Sequence, residues 1–342
     1  MSKRLLIIYT GGTIGMIQDA STGLLRPFDL DQILMQVPEI SSFGYQLDAV
    51  AFDEPIDSSN MQPDIWVNLA DIIGKHYHSH HGFVILHGSD TMAYTASALS
   101  FLLENLGKCV VLTGSQLPVG HVRTDAKENL ITSIEIAAAT REDGQSRVPE
   151  VCLYFDYQLY RGNRVIKYNA EKFEAFHSPN YPPLAEAGIR IKYHDYNILA
   201  LRSGQLRVHH TLGQAVGTLK LFPGLSPALL NQILETPGLE VLIMEGFGAG
   251  NAPTAAWFVQ ALQKFTATGK VIVDITQCHG GSVELGKYET SAALKKMGVV
   301  SGYDITFEAA ITKIMFLLGQ GLRGKELALA FDRPICGEMS KF

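Results

Sequence analysis

The chain has 342 residues, of which 46% are hydrophobic and 18% charged, and a formal net charge of -6. That is ample apolar material for one or two packed cores, so disorder is excluded and two domains are mildly favoured. With so small an acidic excess and no run of Lys or Arg, neither nucleic acid nor an anionic membrane is an expected partner, and small molecules fit better.

The first element is the apolar run Leu5-Leu6-Ile7-Ile8-Tyr9, which leads into Thr10-Gly11-Gly12-Thr13-Ile14-Gly15. The run is far too short to span a bilayer, and residues 1–10 lack the charged start and cleavage site of a secretory signal, which predicts a cytoplasmic chain. Further strands are predicted at Phe83–Leu86, Val110–Thr113, Val151–Phe155, Val216–Leu221, Val241–Met244 and Val271–Ile275. Between them, Met92–Leu103, Thr124–Ala139, Ala255–Ala267 and Phe307–Leu318 carry helical apolar spacing. Short Val/Ile/Leu runs alternating with helices are the signature of parallel strands buried on both faces, so the class is α/β. Asp125 followed by Glu128 has the form of a capping box at a helix start. The Pro-rich Ser178–Pro183 stretch and the polar segment after it mark a break, giving domains at 1–190 and 213–342 with a connection over 191–212.

Three of the strands end in glycine and then a hydroxyl residue: Thr13 after Gly11-Gly12, Ser89-Asp90 after Gly88, and Ser115 after Gly114. Ligands bind outside the carboxyl ends of strands in open α/β sheets, and glycine turns there present free N–H groups to an anion or oxyanion. A single Gly-Gly-Thr serves a tight turn more often than catalysis, and the G-x-G-x-x-G spacing of a dinucleotide site is absent. For Asp90 the plain alternative is a cap on the helix starting near Met92. Lys167, beyond Tyr160-Arg161-Gly162-Asn163-Arg164, is either a solvated lysine or one held near a hydroxyl to stabilise an alkoxide or shuttle a proton.

His76, His78, His80 and His81 form the densest histidine cluster, and His76 and His80 would share a helix face. No carboxylate or cysteine recurs at ligand spacing, so a solvated helix end is expected there and no metal. Cys109, Cys152, Cys278 and Cys336 lie far apart with no Cys-x-x-Cys pair, and are expected to be reduced and mostly buried thiols.

Taken in order, Tyr9–Met16, Asp57-Ser58-Ser59-Asn60-Met61, His87–Leu99, Thr113–Gln116, Leu159–Arg164, Gly248–Pro253 and Tyr303–Ala309 resemble the bacterial L-asparaginase family, cytoplasmic type I branch, across essentially the whole chain. The resemblance implies a larger N-terminal domain with a mostly parallel, doubly wound sheet and a smaller flavodoxin- or Rossmann-like C-terminal domain. It implies hydrolysis of L-asparagine, and L-glutamine weakly, to the acid and ammonia through an acyl-enzyme without cofactor or metal, in a homodimer or homotetramer. Such chemistry needs a hydroxyl nucleophile, a route for its proton and donors for the oxyanion.

Carried over by position, Thr13 matches the nucleophile, and Ser89, Asp90 and Lys167 match the second catalytic set, with Ser89 standing where threonine is commoner. Asp57, Ser58 and Ser59 match the loop that holds the amino-acid end of the substrate, with Asp90 as partner of its α-ammonium. Ser115 lies where the family's backbone contacts the substrate amide, and Asn251 matches an asparagine contributed near a neighbouring subunit's site. Where many members carry a tyrosine on the loop after the nucleophile, this chain reads Thr22-Gly23-Leu24-Leu25-Arg26-Pro27, so Tyr288 of the C-terminal domain is the substitute candidate for proton transfer. Glu245 replaces an arginine that some members use for an effector, so effector regulation is not expected. Two other readings remain: an ammonia-releasing subunit of a tRNA-dependent amidotransferase, whose members generally carry a further N-terminal domain, and a non-catalytic amino-acid sensor.

Overall fold

The computed structural model describes residues 2–15, 17–18, 25–26, 36–286 and 289–341. The chain divides into two compact units, Met1–His210 and Thr211–Phe342.

The first unit is built on an eight-stranded sheet. Its strands are β1 (Arg4–Tyr9), β2 (Gln46–Ala51), β3 (Gly82–Leu86), β4 (Val110–Thr113), β5 (Val151–Phe155), β6 (Gln158–Arg161), β7 (Ala185–Ala187) and β8 (Ile191–Tyr193), in the spatial order β8-β7-β6-β5-β4-β3-β1-β2. The five strands β2-β1-β3-β4-β5 run parallel, and β6, β7 and β8 add antiparallel pairings at one edge. In β1, β3, β4 and β5 every apolar residue is buried, because helices cover both faces, and this produces the unbroken apolar runs of the sequence. Edge strand β2 alternates half-buried and exposed residues such as Asp48 and Gln46, and so carried no such run. The order 2-1-3-4-5 reverses direction between β1 and β3, so these two neighbours send their carboxyl ends into the switch-point crevice.

Helices α1 (Pro63–His76), α2 (Met92–Leu102) and α3 (Ala126–Ala138) connect the parallel strands. α1 starts on Pro63 and buries Trp66, Leu69, Ala70 and Ile73 at helical spacing. The capping box expected at Asp125 and Glu128 does not form. Thr124 Oγ1 accepts the Ala126 N–H at 3.0 Å, while the Asp125 carboxylate turns back to the N–H groups of Gln116 and Leu117. Glu128 instead accepts hydrogen bonds from Tyr154 Oη and Thr132 Oγ1. The β5–β6 hairpin closes through Asp156 and Tyr157, both left-handed at φ 46° and 65°, without the Asn-Gly signal such turns favour.

The stretch expected as a connection from 191 to 212 belongs largely to the first unit. Ile191–Tyr193 is the edge strand β8, and Arg207–Val208 pairs with Leu103–Glu104, so the first unit runs to 210 and the division falls inside the expected connection. Of the cysteines, Cys109 and Cys152 are buried, Cys336 is half-buried and Cys278 is exposed, fewer buried than expected. Nor is the histidine cluster wholly solvated: His80 is buried, with Nε2 2.9 Å from Asp48 Oδ2. Among the described residues no group of three or more metal-ligating side chains comes together.

The second unit carries a four-stranded parallel sheet, β9 (Val216–Lys220), β10 (Val241–Gly246), β11 (Val271–Thr276) and β12 (Val300–Ser301), in sequential order. Its helices are α4 (Pro227–Leu234), α5 (Ala256–Ala267), α6 (Glu289–Lys296), α7 (Phe307–Gly319) and α8 (Gly324–Phe331). Leu230, Leu242, Phe258, Leu262 and Ile272 centre its core. No helix among the described residues is long and apolar enough to cross a membrane. The two-domain α/β architecture, with a large mostly parallel sheet and a smaller parallel one, is therefore the one the sequence predicts.

Candidate functional site

Five segments meet near the carboxyl ends of β1, β3 and β4. After β1, Gly11 and Gly12 take φ 135° and 89°, and the chain enters a single helical turn, Thr13–Gly15. A Cβ on Gly11 would lie 2.2 Å from the Ile56 carbonyl oxygen, and one on Gly12 would lie 2.5 Å from the Gly88 nitrogen. Only glycine permits both the positive φ and the close approach. The Tyr9 ring fills the space below, against Gly15, and burial pushes its hydroxyl up to about 12. Thr13 emerges half-buried from this turn, one residue beyond the contact with Gly88.

The second turn carries Ser89 and Asp90. Asp90 does not cap α2; its carboxylate accepts a hydrogen bond from Lys167 Nζ at 2.5 Å, and the same Nζ donates to Ser89 Oγ at 2.8 Å. The structure thus joins three candidates from positions 77 and 78 residues apart in sequence. Asp90 is 62% exposed and Lys167 only 18%, so the lysine is held at the bottom of an open carboxylate face. Lys167 is placed there by the short Ile166–Lys167 strand, which pairs with Phe176–His177.

Asp57, Ser58 and Ser59 lie against both turns. Ile56 N–H donates to the Thr10 carbonyl at 2.7 Å, and Thr91 Oγ1 donates to the Ser58 carbonyl at 2.7 Å. The Asp57 carboxylate accepts from the Ser59 N–H and from Ser59 Oγ, both at 2.9 Å, which holds its pKa below the usual carboxylate value. This leaves a solvent-facing anion beside Asp90's turn, suited to an ammonium group. Ser115, on the third turn, is buried and spends its one hydroxyl proton on the Leu117 carbonyl at 2.6 Å, so the hydroxyl has none left to donate to a ligand.

Two further residues hold this arrangement, and neither had a role in the sequence reading. Gln116 Nε2 donates to the carbonyls of Ala170 and Lys172, which turns Oε1 toward Ser89 Oγ at 3.5 Å. Fully buried His87 is 2.7 Å from the Gly88 carbonyl through Nδ1 and 2.8 Å from Thr95 Oγ1 through Nε2, and Trp66 Nε1 donates to the same hydroxyl at 2.9 Å. Burial pushes the imidazole down to about 4, so it is neutral, with Nδ1 donating and Nε2 accepting. The signal for both was their place in the strand-end motifs, but their partners lie on other elements.

Asn251 stands in the second unit, on the turn after β10, where Phe247 and Asn251 exchange backbone hydrogen bonds of 2.8 Å. Glu245, at the end of β10, has Lys220 Nζ 3.6 Å from its carboxylate. Tyr288 and the side chains of the Thr22–Pro27 loop, Leu24 among them, lie outside the described residues.

A family profile described as "Asparaginase, N-terminal" matches residues 4–199, and one described as "Glutaminase/Asparaginase C-terminal domain" matches residues 215–331. The chain is 41% identical over 339 residues to L-asparaginase 1 of Escherichia coli, covering 99% of this chain and 98% of that protein. It is also 41% identical, over 362 residues, to the 60 kDa lysophospholipase of Homo sapiens, covering 99% of this chain and 62% of that protein. The crystal structure of L-asparaginase I from Vibrio cholerae superposes with a TM-score of 0.89 at 38% identity, covering 100% of each chain.

Proposed function

This chain belongs to the asparaginase family, and from that premise we propose that it hydrolyses L-asparagine to L-aspartate and ammonia through an acyl-enzyme on Thr13. The observation that carries the reading is Lys167 Nζ, bonded at once to Ser89 Oγ and Asp90 Oδ1 on a turn whose Gly88 touches the turn leading to Thr13.

In this mechanism Thr13 Oγ1 attacks the side-chain amide carbon, and N–H groups of the glycine turns take the oxyanion. Collapse returns a proton to the leaving nitrogen, expels ammonia and leaves an ester on Thr13. Water then attacks that ester, with Ser89, Lys167 and Asp90 handling its proton, and releases L-aspartate. Asp57 and Asp90 anchor the α-ammonium, the backbone at Ser115 meets the amide, and Asn251 comes from a second copy of the chain. Tyr288 is the proposed route for the Thr13 proton. The reading includes a cytoplasmic homodimer or homotetramer, which sedimentation of the purified chain would test.

Ammonia release from L-asparagine, L-glutamine and D-asparagine, run beside fatty-acid release from a lysophospholipid, tests the function directly. L-asparagine is expected to turn over fastest, L-glutamine weakly and D-asparagine not at all. Binding of L-asparagine without any ammonia release would instead favour the sensor.

A further inference from the structure

Asp274 sits in the middle of β11, between Val273 and Ile275, with none of its surface exposed. Its carboxyl group is wedged between the end of β10 and the turn that follows. A Cβ on Gly246 would lie 2.6 Å from Oδ1, and one on Gly250 would lie 2.7 Å from Oδ2. Neither oxygen closes a hydrogen bond of normal geometry with a described residue. At the end of β10 and in the turn it lies against Gly246 and Gly250, and among the described residues no charged neighbour shifts its titration.

The Phe247–Asn251 turn is pinned at its rim by two bonds, and a third holds the strand end that leads into it. Thr276 Oγ1 donates to the Gly248 carbonyl at 2.6 Å, Glu284 N–H to the Ala249 carbonyl at 3.0 Å, and Gln277 N–H to the Gly246 carbonyl at 3.0 Å. Beneath the turn, the filling group is the Asp274 carboxyl. An ionised carboxylate without a counter-charge is costly there, whereas the neutral acid is a compact planar wedge. This also accounts for one glycine of the Gly248-Ala249-Gly250-Asn251 motif: Gly250, at φ 92°, has no room for a side chain above the wedge.

We propose that Asp274, as the uncharged acid, is a positioning residue for the Phe247–Asn251 turn and, through it, for Asn251. The link to substrate rests on the asparaginase reading, which assigns Asn251 to a neighbouring active site. Burial raises this carboxyl from its ordinary 3.8 to about 7, with the Gly246 N–H opposing. A folded-state value above the unfolded one means that the stability it lends is complete below about pH 4 and is lost as pH rises through about 7.

The test compares the full-length protein with its Asp274→Asn variant, which keeps the planar wedge and cannot ionise. The melting temperature of the variant relative to the parent is expected to climb between pH 4 and pH 7 and to level off above. The parent's KM for L-asparagine is expected to rise a few-fold across neutrality while the variant's stays flat, with kcat similar in both. In the unaltered protein, the carboxyl carbon resonance of Asp274 should titrate near pH 7; a midpoint near 4 overturns the proposal without reference to any variant. Parallel melting curves overturn it too, and divergent melting curves with coincident KM profiles overturn the positioning role. If neither protein hydrolyses L-asparagine at any pH, the asparaginase reading fails, and the melting and resonance data still decide the buried acid.

Discussion

Gly12 and Gly88 meet backbone to backbone, close enough that a Cβ on Gly12 would lie 2.5 Å from the Gly88 nitrogen and 2.6 Å from its Cα. This contact fixes the separation of the two hydroxyl turns, since Thr13 and Ser89 each follow it by one residue. Gly12→Ala therefore meets both a positive φ of 89° and a backbone collision. The expected cost is roughly 2–5 kcal/mol of stability, combining left-handed strain with overpacking. Chemical denaturation measures it, and a variant as stable as the parent would show that the turns are free to separate.

Thr13→Ala removes the proposed nucleophile from a half-buried position without disturbing the glycines that shape the turn. Ammonia release should fall on the order of 10³-fold or more, by analogy with the loss of other nucleophiles. The melting curve should barely move. Full activity in that variant would end the acyl-enzyme proposal.

Lys167→Met breaks the bonds to Ser89 Oγ and Asp90 Oδ1 while keeping an aliphatic stem of similar length. Turnover should drop on the order of 10²–10⁴-fold, the usual range for a positioned proton-transfer group. Because Asp90 is 62% exposed, the ion pair adds little to folding, ~0–1 kcal/mol. A large loss of stability with turnover intact would demote Lys167 to a structural role.

His87 makes the first unit sensitive to acid. Burial lowers its pKa from 6.5 to about 4, so the unfolded chain takes up a proton at a pH where the native protein does not. The stability held in the Trp66–Thr95–His87 chain is therefore complete above about pH 6.5 and is lost as pH falls toward 4, by on the order of 2–3 kcal/mol. His87→Gln should flatten stability against pH in that window. If the variant and the parent lose stability in parallel, another group is responsible.

A good part of this molecule was legible along the chain. Leu5–Tyr9, Phe83–Leu86, Val110–Thr113 and Val151–Phe155 read as strands because burial on both faces demands continuous apolar runs, and the glycines at their ends announced turns. Edge strand Gln46–Ala51 escaped because one side of it faces water. The β5–β6 hairpin escaped because Asp156 and Tyr157 adopt a backbone that glycine or asparagine usually signals.

By itself the sequence determined the α/β class, the hydroxyl turns at the strand ends and, through its ordered motifs, the family. Those are local properties, set by apolar periodicity and by which residues tolerate a tight turn. Only tertiary structure decided that Lys167 joins Ser89 and Asp90, that Asp125 braces the Gln116 turn without capping α3, and that Asp274 lies under the turn bearing Asn251. Each of these depends on a polar atom's partner or surroundings, supplied by segments far away in sequence and brought near only when the sheets close their cores. Thr13 and Ser89 share that dependence: the paired turns are readable in the sequence, but their meeting at Gly12 and Gly88 requires β1 and β3 to lie side by side.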